Sequence, residues 1–129
     1  MLEVNEVKIL KYMRIQGRDL SYITQKPVGI FSLGWRLIRN DIFSKEDENL
    51  FVGIDQWFKD NLPEPPIYND NNSIGAITYF KVDNTYHMFD KLKPIKELFK
   101  KHNIAFDIVY TDYIGKIIYE DEYQVAVIA

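Results

Sequence analysis

Five carboxylates crowd the C-terminal part of the sequence: Asp107, Asp112, Glu120, Asp121 and Glu122. Carboxylates at that density can hold Mg²⁺ or Mn²⁺ for phosphoryl chemistry. They can also divide into a general acid and a general base where their surroundings push the pKa values apart. On strands the spacing works against both. Asp107 and Asp112 are five residues apart and fall on opposite faces, and Glu120 and Glu122 share a face only in an unbroken strand. Asp107, Asp112, Glu120 and Glu122 stand as candidate catalytic residues of a small metal-dependent hydrolase or nuclease. The alternative is a solvated turn between tyrosines that discourages edge pairing.

The remaining chemistry points to binding. Lys93, Lys96 and Lys100 recur at steps of 3 and 7 and form one stripe on a helix, with Lys91 and Lys101 beside them. Such a stripe suits phosphates or an acidic protein partner, or is the water-facing side of an amphipathic helix. Nine tyrosines fall mostly in or near expected strands, and tyrosine is an amphipathic anchor at interfaces. Tyr119, Asp121 and Tyr123 join the three lysines as candidate binding residues. His87 and His102 are fifteen residues apart and flank the same helix, about four turns from each other, so they cannot share one ion within it. His102 suits the negative end of a helix dipole. No metal site and no cofactor is expected. Phosphate loop, dinucleotide fingerprint, nucleophile elbow and EF-hand loop are all absent, and the glycines are scattered singly.

Composition narrows the class further. The 129 residues are 47% hydrophobic and 27% charged, the balance of a globular domain, so one α+β domain over 1–129 is the natural count. Without cysteine, disulfides and thiolate chemistry are excluded, which suits a reducing, cytoplasmic setting. Glu3, Glu6 and Lys8 interrupt the N-terminus as a signal core, and no apolar run is long enough for a bilayer. A net charge of −3 argues against a general polyanion binder. The charge is polarised: residues 44–72 hold seven acids against two lysines, a net of −5, and residues 91–102 hold five lysines against Glu97, a net of +4.

The elements that must position these groups follow from periodicity and punctuation. Residues 8–16 alternate as a strand, Gly17, Arg18 and Asp19 suit a turn, and residues 20–24 a short return strand ended by Pro27 and Gly29. Ile30, Leu33 and Leu37 space a first helix over 30–38. Ser44 with Asp47 opens a second on a capping-box-like start, carried by Leu50, Phe51, Ile54, Trp57 and Phe58 and stopped by Asn61 and Pro63. A proline- and asparagine-rich loop covers 62–73, and 74–82 reads as a buried strand. A helix follows to Lys101, with Pro94 either kinking it or opening a shorter one, and Asn103 stops it. Strands over 105–113 and 116–129 complete the chain, broken near Glu120–Glu122. The expected architecture is a mixed, mainly antiparallel sheet of four to six strands with about three helices on one face. Residues 74–113 suit a strand–helix–strand crossover.

Four phrases, PVGIFSLGWRL (27–37), DQWFKDNLPEPP (55–66), GAITYFK (75–81) and YEDEYQVAV (119–127), together resemble a family of small uncharacterised bacterial and phage proteins. The resemblance implies a single domain ending on such a strand and carries no activity or site residue. The leading expectation is a non-enzymatic module that docks on another macromolecule, with a protein as the expected partner, of the inhibitor, immunity or counter-defence kind. Nucleotide or nucleic-acid binding through the basic helix, and a homodimer through tyrosine-rich edges, are the other expectations.

Overall fold

The computed structural model describes residues 10–21, 24–63 and 75–128. Its central strand is β1 (Tyr12–Leu20), whose Met13 and Ile15 enter the core. Lys8 and Ile9, expected to begin it, lie outside the described residues. β1 runs straight through Gly17, where a turn was expected. The reason is tertiary: a Cβ at Gly17 would sit 2.6 Å from Leu33 Cδ2, so the missing side chain admits a helix. The reversal comes later, where Ser21 N donates to Lys26 O at 2.9 Å and Gln25 takes a left-handed φ of 60°. Pro27 and Gly29 then form β2 (Pro27–Gly29) instead of ending a strand, and a proline without an N–H is tolerated at such an edge.

Two strands share one side of β1. Its end pairs with β2 (Gln16 with Gly29, Leu20 with Pro27), and its start pairs with β3 (Ile77–Lys81), Met13 opposite Phe80. The Arg14 fork ties the two together, Nη2 donating to Pro27 O at 2.9 Å and Nη1 to Thr78 O at 3.0 Å. Its Nε donates to Gln16 Oε1 at 3.1 Å. A planar guanidinium reaches both carbonyls at once, which a lysine could not do. The other side of β1 is taken along six residues by β4 (Phe106–Thr111). β3 pairs onward to β6 (Gln124–Ile128), and β6 to β5 (Lys116–Glu120). Every one of these pairings is antiparallel. β3 and β4 do run the same way, as a crossover requires, but β1 lies between them.

Helices α1 (Ile30–Arg39) and α2 (Lys45–Asn61) meet through aromatic residues. Phe51 of α2 is fully buried, with the rings of Phe31, Trp35 and Phe43 within 6.5 Å. Gly34 makes room for it, since a Cβ there would fall 2.1 Å from Phe51 Cε2. Ser44 caps α2 as its sequence predicts, its Oγ accepting from Asp47 N at 3.1 Å. The single helix expected after β3 is broken into three. A helical turn, α3 (Val82–Thr85), leads into a 3₁₀ stretch (Tyr86–Leu92) and then α4 (Lys93–Lys101). Pro94 sits in the first turn of α4, where its missing N–H costs no helical bond, and the chain before it winds differently. Asn103, at φ 58°, ends α4 as expected.

The core is the layer between α1, α2 and α4 and the sheet face carrying Met13, Ile15, Phe80 and Phe106. The fold class is therefore α+β, with the helices on one side of an antiparallel sheet. Of the loop expected over 62–73, only Leu62 and Pro63 are among the described residues, and Ile74 also lies outside them. No helix among the described residues is long and apolar enough to cross a membrane.

Candidate binding surface

Burying Ile95, Leu98 and Phe99 under α4 fixes which of its lysines face outward. Lys101, together with Lys91 of the preceding 3₁₀ stretch, turns toward α2. Lys91 Nζ lies 5.2 Å from the centre of the Trp57 ring, and Lys101 Nζ lies 2.9 Å from Asp47 Oδ2. Lys93, Lys96 and Lys100 point the other way, along a trough of about 780 Å³ between α4 and β4. Its apolar lining includes Ile104, Phe106 and Ile108. Arg18 also lines it, paired at 3.3 Å with Asp107 across β1 and β4, and Asp90 and Glu97 temper its positive charge.

β4 forms the wall opposite the lysines. Among the described residues it pairs only with β1, and none of them takes up its outer row of backbone N–H and C=O groups. Phe106, Ile108 and Tyr110 share one side of the strand by its two-residue repeat. Phe106 is covered by α4, its ring 6.1 Å from that of Phe99, but Ile108 and Tyr110 are 44% and 49% exposed. The apolar row runs on past the end of the helix layer. Tyr113, 88% exposed, lies just beyond.

The other binding candidates stand elsewhere. Tyr119, Asp121 and Tyr123 come together at the β5–β6 turn, on the sheet edge away from β4. The Asp121 carboxylate organises that turn, accepting from Tyr119 Oη at 2.7 Å, Tyr123 N at 2.7 Å and Gln124 N at 2.9 Å. The hydrogen bond to Asp121, with burial and the Asp121 charge adding to it, raises the Tyr119 phenol above its usual pKa. Tyr123 packs on the core. The tyrosines do not form one platform, because Tyr12 and Tyr79 are half-buried in the middle strands and Tyr22 lies outside the described residues.

The four candidate catalytic carboxylates are not brought together. Asp107 pairs with Arg18, Asp112 accepts from Lys11 N at 2.8 Å, and Glu120 pairs with Lys81 at 2.6 Å. Asp107 and Glu120 sit on opposite edges of the sheet, and Glu122 is exposed beyond β5. Among the described residues no three His, Asp or Glu side chains converge on a point that could hold a metal.

A different acidic site is built where the start of α2 meets the end of α4. Asp47 is buried and receives Lys101 Nζ, while its Oδ2 lies 2.9 Å from His102 Nε2. The hydrogen bond from His102, then that from Lys101, with smaller help from Ser44, holds the Asp47 carboxyl below the usual carboxylate range against the opposing effect of burial. Opposite ends of two helix dipoles meet here, each with its complementary charge. Part of the charge separation legible in the sequence is thus neutralised inside the fold. The three lysines facing β4 are the part left over. Of the arginines, Arg18 joins that trough, while Arg14, Arg36 and Arg39 line a separate cavity. Sequence reasoning found the lysine row by its spacing and missed β4 as its neighbour, since no local signal couples them.

No family model, curated protein or solved structure matches the chain.

Proposed function

We propose that this protein is a non-enzymatic binding module that holds another protein, taking an extended acidic segment of it as an added strand on β4. The observation that carries the reading is the outer edge of β4, which no other described strand pairs, alongside the outward row Lys93, Lys96 and Lys100. Backbone groups on such an edge give affinity to any extended chain, and side chains at alternate positions select among them. Ile108 and Tyr110 offer the apolar contacts, and the lysines favour carboxylates on the incoming segment. Exposed charges of this kind act mainly on the rate and orientation of encounter. An inhibitor, immunity or counter-defence factor works by occupying a partner in this manner.

The test is capture from bacterial lysate at low salt by wild-type protein and by the K93E/K96E/K100E variant, with hydrogen exchange read on the captured complex. A stoichiometric protein partner is expected, lost with the variant, with new protection over residues 106–111. No stoichiometric partner, equal capture by the variant, or protection that leaves β4 unchanged overturns the reading. Retention of nucleic acid with a steep salt dependence, in place of a protein, also overturns it.

A further inference from the structure

Where β2 and β3 part from each other along β1, a second cavity of about 580 Å³ opens beneath the start of α1 and the second half of α2. Among the described residues four cationic side chains line it, Arg14, Arg36, Arg39 and Lys59, against one carboxylate, Asp55, and of these Arg14 is already engaged by Pro27 O and Thr78 O. In a chain whose net charge is −3, that is a strong local excess. Asp55 is already held by Lys59 at 3.0 Å, so its charge is answered within α2. Arg36 and Arg39 form no ion pair among the described residues. They stand one turn apart on α1, in line with Ser32, and all three line the cavity.

The first turn of α1 adds to the same field. Its N-cap is Gly29, which offers no side-chain acceptor, and its first turn has no acid, so no side chain caps the amides of Ile30, Phe31 and Ser32, three residues that line the cavity. Free amides at a helix start favour an anion. α2 shows the contrast, with Ser44 and three acids at its own start. Much of the remaining lining is apolar or aromatic, with Phe31, Phe58, Leu62 and Phe80 prominent, beside the polar Ser21, Thr24, Thr78 and Gln124. A pocket of this volume with a few convergent polar groups has the dimensions and character of a small-molecule site.

We infer that this cavity binds a phosphorylated small molecule with an aromatic or apolar body, its phosphate between the start of α1 and Arg36 and Arg39 and its body against Phe58 and Phe80, whose rings lie 6.1 Å apart on the helix-facing side of the sheet. A planar guanidinium pairs two oxygens at a time with carboxylate and phosphate alike, but two guanidinium groups together suit phosphate, which offers three oxygens and close to two negative charges where a carboxylate offers two oxygens and one. The site is separate from the β4 trough and does not depend on it.

Thermal melts of the full chain with adenosine 5′-monophosphate, inorganic phosphate and uncharged adenosine test the inference, at matched ionic strength. A ligand that binds only the folded state raises Tm with concentration. The nucleotide is expected to raise Tm at millimolar concentration, phosphate less, and adenosine not at all. The R36Q/R39Q variant, altered at outward side chains, should weaken the nucleotide effect by about tenfold or more, as loss of charge-assisted hydrogen bonds does. The K93E/K96E/K100E variant should leave it unchanged. Amide shifts on the wild-type chain give a second readout that needs no variant, with Ile30, Phe31 and Ser32 expected to move. No rise with the nucleotide, an equal rise in R36Q/R39Q, an equal rise with sodium chloride, or shifts confined to other segments overturns the inference.

Discussion

Two glycines lie within helices, and the packing around them assigns opposite signs to the same substitution. Placing Ala in a helix interior instead of Gly favours the helix by roughly 0.8–1.0 kcal/mol through the backbone alone. At Gly53 on α2 nothing lies within 4 Å of the added Cβ, so G53A should realise most of that gain. At Gly34 on α1 the added carbon would fall 2.1 Å from Phe51 Cε2 and 2.2 Å from Cζ, and Phe51 is fully buried. Its ring cannot retreat, because Phe31, Trp35 and Phe43 surround it. Overpacking of this kind costs about 1–3 kcal/mol, occasionally more, so the steric loss exceeds the backbone gain. We expect G34A to be destabilised by roughly 1–2 kcal/mol and G53A stabilised by roughly 0.5–1 kcal/mol. Urea unfolding followed by circular dichroism reads both, with unchanged m-values as the check that midpoints report stability. Shortening the ring should relieve the clash, so F51L should cost less in the G34A background than alone, a coupling that a double-mutant cycle measures. Should G34A match or exceed wild type, Phe51 of α2 does not pack this closely on α1 at Gly34.

Asp47 makes stability depend on acid. Its carboxyl titrates lower in the folded state than in the unfolded chain, so its contribution is complete above the usual carboxylate range and disappears as pH falls through the lowered value. D47N should therefore lower the urea midpoint at neutral pH, and the gap from wild type should close below about pH 4; a gap of constant width would contradict the pairing with His102 and Lys101. Tyr119 acts at the other end of the scale, because its phenol titrates higher when folded and its contribution holds below about pH 10 and is lost as pH climbs past the raised value. Y119F should melt lower than wild type at neutral pH and approach it in strong base, and ultraviolet titration should find one tyrosinate forming late. Leu92, fully buried in the 3₁₀ stretch, should cost about 2–5 kcal/mol when truncated in L92A, as read by urea unfolding; a cost near zero would mean that this stretch is not packed as the core shows.

Much of the fold was legible because its signals are local. Ser44 with Asp47 marked the start of α2 and Asn103 the end of α4, while Pro94 allowed two readings, a kink or the opening of a shorter helix, of which the second is found. The spacing of Ile95, Leu98 and Phe99 also fixed which face of α4 is buried, and so which lysines face out. The hairpin was misplaced because Gly17 looks like a turn residue in isolation, and its true reason, Leu33, lies on an element sixteen positions away. The two candidate sites were hidden for the same cause. The trough joins α4 to a strand edge, and the arginine cavity gathers Arg14 from β1, Arg36 and Arg39 from α1 and Lys59 from α2. No periodicity within one segment reports an encounter between segments. The carboxylates drew notice because they are close in sequence, and the sheet then set them on opposite edges.

The position of β1 governs how the molecule can assemble. Its early neighbour β2 is close in the chain, but Arg18 and Asp107, which mark its pairing with β4, are 89 positions apart, and β3 must also arrive from far along the chain. Long-range closure of this sort slows folding. During synthesis the middle strand has β2 beside its end early, gains β3 beside its start only once residue 81 has emerged, and keeps its other flank without β4 until nearly the whole polypeptide is made. Chains cut short before residue 106 would keep that template exposed and should aggregate instead of folding.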